Sequence, residues 1–168
     1  LIYEFITSNA NSNVFALNTK PKNEPQITGK LGQYYPSRLQ IDLTSCCNLS
    51  CPHCYKMAND KKAYISIHHI EKLLSFLDSG LHEIGLTGGE PLLHPEFIDI
   101  ATMCRKKCMQ LELNTNGILL HKIPIEILHL FEFISISLYG LNDEEYYLNT
   151  GIRGGFTNLK KSCTHLSN

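Results

Sequence analysis

Four short strand-like segments, Leu39–Leu43 with strict period-two alternation, then Glu83–Thr87, Gln110–Asn114 and Phe133–Ser137, are each followed by a loop and a stretch of helical periodicity. Ser66 is placed to cap a first helix with Ile67, Ile70, Leu73, Leu74 and Leu77 on one face, stopped by Gly80. Pro95 suits the first turn of a second helix with the stripe Phe97, Ala101, Cys104 and Cys108. Pro124 opens a third through Ile127, Leu128 and Phe131, and Phe156 to Leu166 forms a fourth. Strands that alternate with helices pair in parallel through crossovers, so the expected class is α/β. Sites in parallel α/β folds form where strands end at their carboxyl termini. Cysteines follow the first strand here, Gly88-Gly89-Glu90-Pro91 the second, Asn116-Gly117 the third and Gly140 the fourth. Loops loaded in this way predict one shared site. About four repeats are too few for a closed barrel, so the barrel is expected to be open or cut short.

Composition narrows the class further. The 168 residues suffice for one domain with a substantial core, and 43% hydrophobic with 18% charged residues excludes wholesale disorder. Fifteen Lys plus Arg against sixteen Asp plus Glu give a net charge of −1, which disfavours a polynucleotide partner. No apolar run approaches the roughly 20 residues of a membrane span, and no export signal is evident, so the cytoplasm is the expected compartment. The chain begins at Leu1 rather than Met, and is expected to be part of a longer one. Residues 1–37 read as an extension. The patches Leu1–Phe5 and Val14–Leu17 flank polar Asn11-Ser12-Asn13 as a hairpin, and Lys20–Pro25 as a linker. The motif-bearing domain is residues 38–168.

Four of the seven cysteines fall within nine positions, Cys46 to Cys54, which reads as metal or redox chemistry rather than a disulfide scaffold. Cys47, Cys51 and Cys54 have the spacing C-x3-C-x2-C. Three thiolates on one loop can hold three irons of a cubane cluster and leave the fourth open. Two other readings compete. Cys51-Pro52-His53-Cys54 has the form of a thiol–disulfide motif, which leaves Cys47 unexplained. A structural zinc would need Cys47, Cys51, Cys54 and either His53 or Cys46, crowded on one short loop. Cys104 and Cys108 fall on an apolar helix stripe and read as core. Spacing identifies no partner for Cys46 or Cys163.

Cys47, Cys51 and Cys54 followed by Tyr55, Thr87-Gly88-Gly89-Glu90-Pro91 after the second strand, Asn114-Thr115-Asn116-Gly117 and Ser137-Leu138-Tyr139-Gly140 together resemble the radical S-adenosylmethionine (radical SAM) enzymes. The resemblance runs from about Arg38 onward and implies part of a (β/α) barrel of that type. It implies a [4Fe-4S] cluster on Cys47, Cys51 and Cys54, with S-adenosylmethionine chelating the open iron. Gly88 and Gly89 would allow close backbone approach, and Glu90 would accept a hydrogen bond from the cofactor's amino group. His53 stands where an aromatic residue is usual, and the backbone near Tyr55 would meet the adenine. Ser137 would contact the ribose, and Asn116 would shape its turn. Without the cysteines, the plainer readings are a strand-ending turn at Gly88-Gly89, a solvated charge at Glu90 and a packing residue at Ser137.

The implied activity is reductive cleavage of S-adenosylmethionine to a 5′-deoxyadenosyl radical, with a flavodoxin- or ferredoxin-like electron donor. Ser137–Gly140 with Thr150–Phe156 resembles the branch that modifies peptides and proteins, which implies a precursor peptide substrate. The chain departs from that branch with Tyr146-Tyr147 where His-Asp is frequent, and with Gly155 where Ser is common. A small metabolite or RNA substrate, or a non-catalytic electron-transfer role, is the alternative.

Overall fold

The alternating segments assemble as a four-stranded parallel sheet in the computed structural model, which describes residues 36–56, 63–77 and 81–167. The hairpin and linker expected in the extension, and the Gly80 helix stop, lie outside these residues. The strands are β1 (Arg38–Asp42), β2 (Glu83–Thr87), β3 (Gln110–Thr115) and β4 (Phe133–Ile136), arranged in chain order β1-β2-β3-β4. The α/β class and the strand–helix alternation are therefore as expected.

Register explains which face does what. Ile41, Leu86, Leu113 and Ile134 form one row across the sheet, and Leu39, Ile84 and Leu111 the row below. These rows meet the helices. Helix α1 (Ile67–Phe76) contributes Ile70 and Leu74, and α2 (Phe97–Arg105) contributes Phe97, Ile100, Ala101 and Cys104. Each large apolar side chain buried in this way contributes about 1.5–3 kcal/mol, which carries the fold. Cys104 and Cys108 are both buried in this cluster, and burial pushes the Cys104 thiol up to about 12. The opposite face is polar. Asp42 pairs with Thr87, and Asn114 with Ser135, so the carboxyl ends of the strands present short polar side chains.

Some elements differ from the expectation. Ser66 caps α1 by accepting from His69 N, but Leu73 is 39% exposed and lies off the buried face. Helix α3 is a single turn, Ile125–Leu128, and the chain reaches buried Phe131 through turns. Short 3-10 turns follow β2 at Pro91–Leu93 and β3 at Leu120–Lys122. Helix α4 (Asp143–Thr150) has no counterpart in the sequence reading. It carries no apolar stripe, and is set by its ends: Asn142 caps it, three acidic residues fill its first turn, and Gly151 stops it at φ 72°. Helix α5 (Gly155–Leu166) closes the described structure. Among the described residues no helix is long and apolar enough to cross a membrane.

Buried His94 fixes the start of α2 to the approach to α1. Its Nδ1 accepts from Glu96 N at 3.1 Å, so Nε2 carries the proton and donates to the Ile65 carbonyl at 2.8 Å. His94→Ala strands both groups and should cost about 2 kcal/mol. Urea unfolding should show the midpoint falling, whereas an unchanged midpoint would mean that water replaces the imidazole at no cost.

Candidate functional site

The three thiols of Cys47, Cys51 and Cys54 face one cavity of about 380 Å³ at the carboxyl ends of the strands. Its floor is the polar row of the sheet, with Thr87, Asn114, Ser135 and Ser137; Gly88 and Gly89 form one wall. The cysteine loop has almost no regular secondary structure, so its shape depends on what grips it.

One grip is the turn after β2. Gly89 N donates to the Thr44 carbonyl at 2.7 Å and Glu90 N to the Cys46 carbonyl at 2.7 Å, zipping the turn to the start of the cysteine loop. Neither glycine has room for a side chain. Gly88 sits at φ 145°, where a Cβ would come 2.6 Å from the Thr44 carbonyl oxygen. At Gly89 a Cβ would lie 2.7 Å from the Cys46 carbonyl carbon. The close approach that needs two glycines is thus between two protein backbones.

Glu90 continues this grip into β3. Its side chain is 0% exposed, which excludes a solvated charge. One carboxylate oxygen accepts from Thr115 Oγ1 at 2.7 Å and Leu92 N at 3.1 Å, and the other from Asn116 N at 2.8 Å. Burial pushes the Glu90 carboxyl up, and these three donors pull it back. Asn116 in turn spans the site. Its Nδ2 donates to Asn48 Oδ1 at 2.7 Å in the cysteine loop, and its Oδ1 accepts from Ile118 N.

The second grip comes from α4. Ser50 N donates to the Thr150 carbonyl at 2.9 Å, and Leu49 packs with Ile118, fully buried Tyr146 and Leu159 in a small separate core. Gly155 lies against the Tyr146 ring, where a Cβ would come 2.8 Å from Cε1. Of the departures noted in the sequence, Tyr146 and Gly155 are therefore two halves of one contact, whereas Tyr147 is exposed. Serine at 155 fits a smaller neighbour than Tyr146.

The thiol set suits a multinuclear cluster. Burial raises the Cys47 thiol, with Glu90 and the neighbouring sulfurs raising it further, and burial raises the Cys51 thiol with a contribution from the Cys54 sulfur. Leu49 N points at Cys47 Sγ from 3.4 Å and Asn116 Nδ2 from 4.0 Å, donors of the kind that stabilise ligand sulfur. Among the described residues no group of three or more His, Cys, Asp or Glu side chains gathers closely enough to hold a metal ion.

The expected site residues separate as follows. His53, Tyr55, Gly88, Gly89, Asn116 and Ser137 all line the cavity with the three cysteines. Tyr55 is 86% exposed. Glu90 does not line it, its carboxylate being turned inward to Thr115 and Asn116. Cys46 is buried and Cys163 exposed. Sequence reasoning missed Asn114, Ser135, Lys56 and Tyr139, which also line the cavity. The period-two pattern could have found the first two, because it puts both on the polar face with Ser137.

Two substitutions test these grips. Glu90→Gln places an amide NH2 against groups that are all donors, and should lower stability by about 1–3 kcal/mol at neutral pH. Gly155→Ser should cost about 1–3 kcal/mol by overpacking Tyr146, with Tyr146→His restoring part of it. Thermal unfolding measures both. A Glu90→Gln chain of wild-type stability, or Gly155→Ser insensitive to the residue at 146, would contradict the contacts described.

The profile of the Radical SAM superfamily matches residues 41–167. The antilisterial bacteriocin subtilosin biosynthesis protein AlbA of Bacillus subtilis is 28% identical over 171 residues, covering 98% of this chain and 38% of AlbA. A GTP 3′,8-cyclase of Synechococcus is 34% identical over 126 residues, covering 70% of this chain and 36% of the cyclase. Among solved structures, Streptococcus suis SuiB bound to its precursor peptide SuiA superposes with a TM-score of 0.63 at 18% identity, over 93% of this chain and 40% of SuiB. That likeness is one of fold. The chain spans about two fifths of the length of these relatives. The superfamily uses a [4Fe-4S] cluster and S-adenosylmethionine. From the match over residues 41–167, and from the fold and cysteine loop behind it, the chain belongs to the radical SAM superfamily.

Proposed function

We propose that this chain is the cluster- and cofactor-binding part of a radical SAM enzyme that modifies a peptide or protein side chain. The observation that carries the reading is the convergence of the three loop thiols, the Gly88-Gly89 turn and a row of small polar side chains on one cavity. Cys47, Cys51 and Cys54 would hold the [4Fe-4S] cluster. Bound there, the cluster and S-adenosylmethionine supply a 5′-deoxyadenosyl radical by reductive cleavage. The chain's own residues bind and orient. The backbone of Gly88 and Gly89 receives the methionyl end, the backbone near Tyr55 with His53 the adenine, and Ser137 the ribose. The Glu90 carboxylate is buried outside the cavity and engaged by Leu92, Thr115 and Asn116, so it acts on the site through them. Its main role is to hold the turn and Asn116 in place. A low-potential flavodoxin- or ferredoxin-like protein in the cytoplasm would supply the electron.

The peptide reading is supported by extent. The similarity to AlbA covers 98% of the chain, whereas that to the Synechococcus GTP 3′,8-cyclase covers 70%. The cyclase, at 34% identity, supports a second reading in which the substrate is a nucleotide.

Anaerobic reconstitution with iron and sulfide should load about four irons per chain. Cys51→Ala should lose the cluster and Cys104→Ala keep it; undiminished loading in Cys51→Ala would remove the ligand assignment. The enzyme containing this chain, supplied with S-adenosylmethionine and reductant, should form 5′-deoxyadenosine faster with its precursor peptide than with GTP. Stimulation by GTP and none by peptide would transfer the reading to the nucleotide class.

A further inference from the structure

Asn48, directly after Cys47, is held by a buried side chain that reaches across the site. That side chain is Asn116, the residue after β3, which is 6% exposed. Its backbone is fixed on both sides. The N–H donates to the Glu90 carboxylate at 2.8 Å, and the carbonyl accepts from the Tyr146 hydroxyl at 3.5 Å. The carboxamide is fixed as well. Its oxygen accepts from Ile118 N at 3.1 Å, which leaves the nitrogen one orientation, toward the cysteine loop. There Nδ2 donates to Asn48 Oδ1 at 2.7 Å. Asn48 stands between Cys47 and Leu49, whose N–H points at Cys47 Sγ from 3.4 Å. The turn that presents the Cys47 sulfur is thus gripped at its middle residue by a side chain 68 positions away. Glu90 engages only the backbone of Asn116, so the bridge can be removed without unpairing the carboxylate.

We propose that Asn48 and Asn116 are positioning residues whose amide-to-amide hydrogen bond holds the Cys47 turn in its ligand conformation before iron arrives. The inference rests on the reading of Cys47, Cys51 and Cys54 as cluster ligands. Backbone bonds hold the loop at Cys46 and at Ser50, and Cys47 lies between them. Without the bridge the Cys47–Leu49 turn opens more often, and iron binding must then restore its order. The bridge needs an oxygen acceptor at position 48. Aspartate places one at the same distance from the backbone, and alanine has none.

The test reads the turn with and without a cluster. In the metal-free full chain, hydrogen exchange of the Leu49 N–H, corrected for intrinsic rate, should be about fivefold faster in Asn48→Ala and in Asn116→Ala. The double variant should exchange no faster than either single one, since both remove the same bond. Asn48→Asp should match wild type. After reconstitution with iron and sulfide, a chelator should strip the Asn48→Ala chain about fivefold faster than wild type, and Asn48→Asp at the wild-type rate. Wild-type exchange at Leu49 in Asn48→Ala overturns the bridge and leaves the ligand assignment standing. Faster exchange with unchanged iron loss overturns the link between the bridge and the ligand. Should Asn116→Ala fail to fold, the two variants at position 48 decide the matter between them. A wild-type chain that assembles no cluster overturns the ligand reading and the proposal with it.

Discussion

A carboxylate with no exposed surface is costly to bury, and Glu90 is tolerated because three donors converge on it. Those donors come from the turn after β2 and from the end of β3. Satisfying Glu90 therefore fixes the position of two strand ends relative to each other. The turn it stabilises also holds the cysteine loop, through the Thr44 and Cys46 carbonyls. The arrangement of the site follows from that one burial: a misplaced turn would leave a charge and several N–H groups unpaired together.

The cysteine loop has no ladder of its own and is fixed by being held on both sides. Backbone hydrogen bonds from Gly89 and Glu90 hold its start. Leu49 in the small core around Tyr146, with the bond from Ser50 to Thr150, holds its middle. A cluster site needs this. Ligands that wander before iron arrives lose binding free energy to ordering, whereas a preorganised loop has already met that cost. Within the second grip the large Tyr146 ring and the side-chain-free Gly155 pack against each other, so each residue fits the other.

Much of this was legible in the sequence where the signal is local. The span Glu83–Thr87 agrees residue for residue, because alternation and the following Gly-Gly turn bound it on both sides. The cysteine spacing and the Gly-Gly-Glu motif pointed to one end of the sheet because strand-end loops of a parallel sheet share it. Helix α4 was not legible, since its formation rests on an N-cap, acidic charge and a left-handed glycine rather than an apolar stripe. Nor was the burial of Glu90. Its partners are 25 and 26 residues away, and only the β2–β3 register brings them within reach. Tyr139 escaped for a similar reason, because its contacts run to Tyr146 and the cysteine loop rather than along β4.

Radical SAM chemistry differs from plain iron–sulfur electron transfer in one property, an iron open to a second ligand. With Cys47, Cys51 and Cys54 as the proposed ligands, three thiols leave such an iron open, and four would not. The direct measurement is the electron paramagnetic resonance spectrum of the reduced, reconstituted chain with and without S-adenosylmethionine. The account predicts one [4Fe-4S] signal whose g-values change when the cofactor is added. A signal indifferent to S-adenosylmethionine at saturating concentration would contradict it, and would make the loop a closed electron-transfer centre.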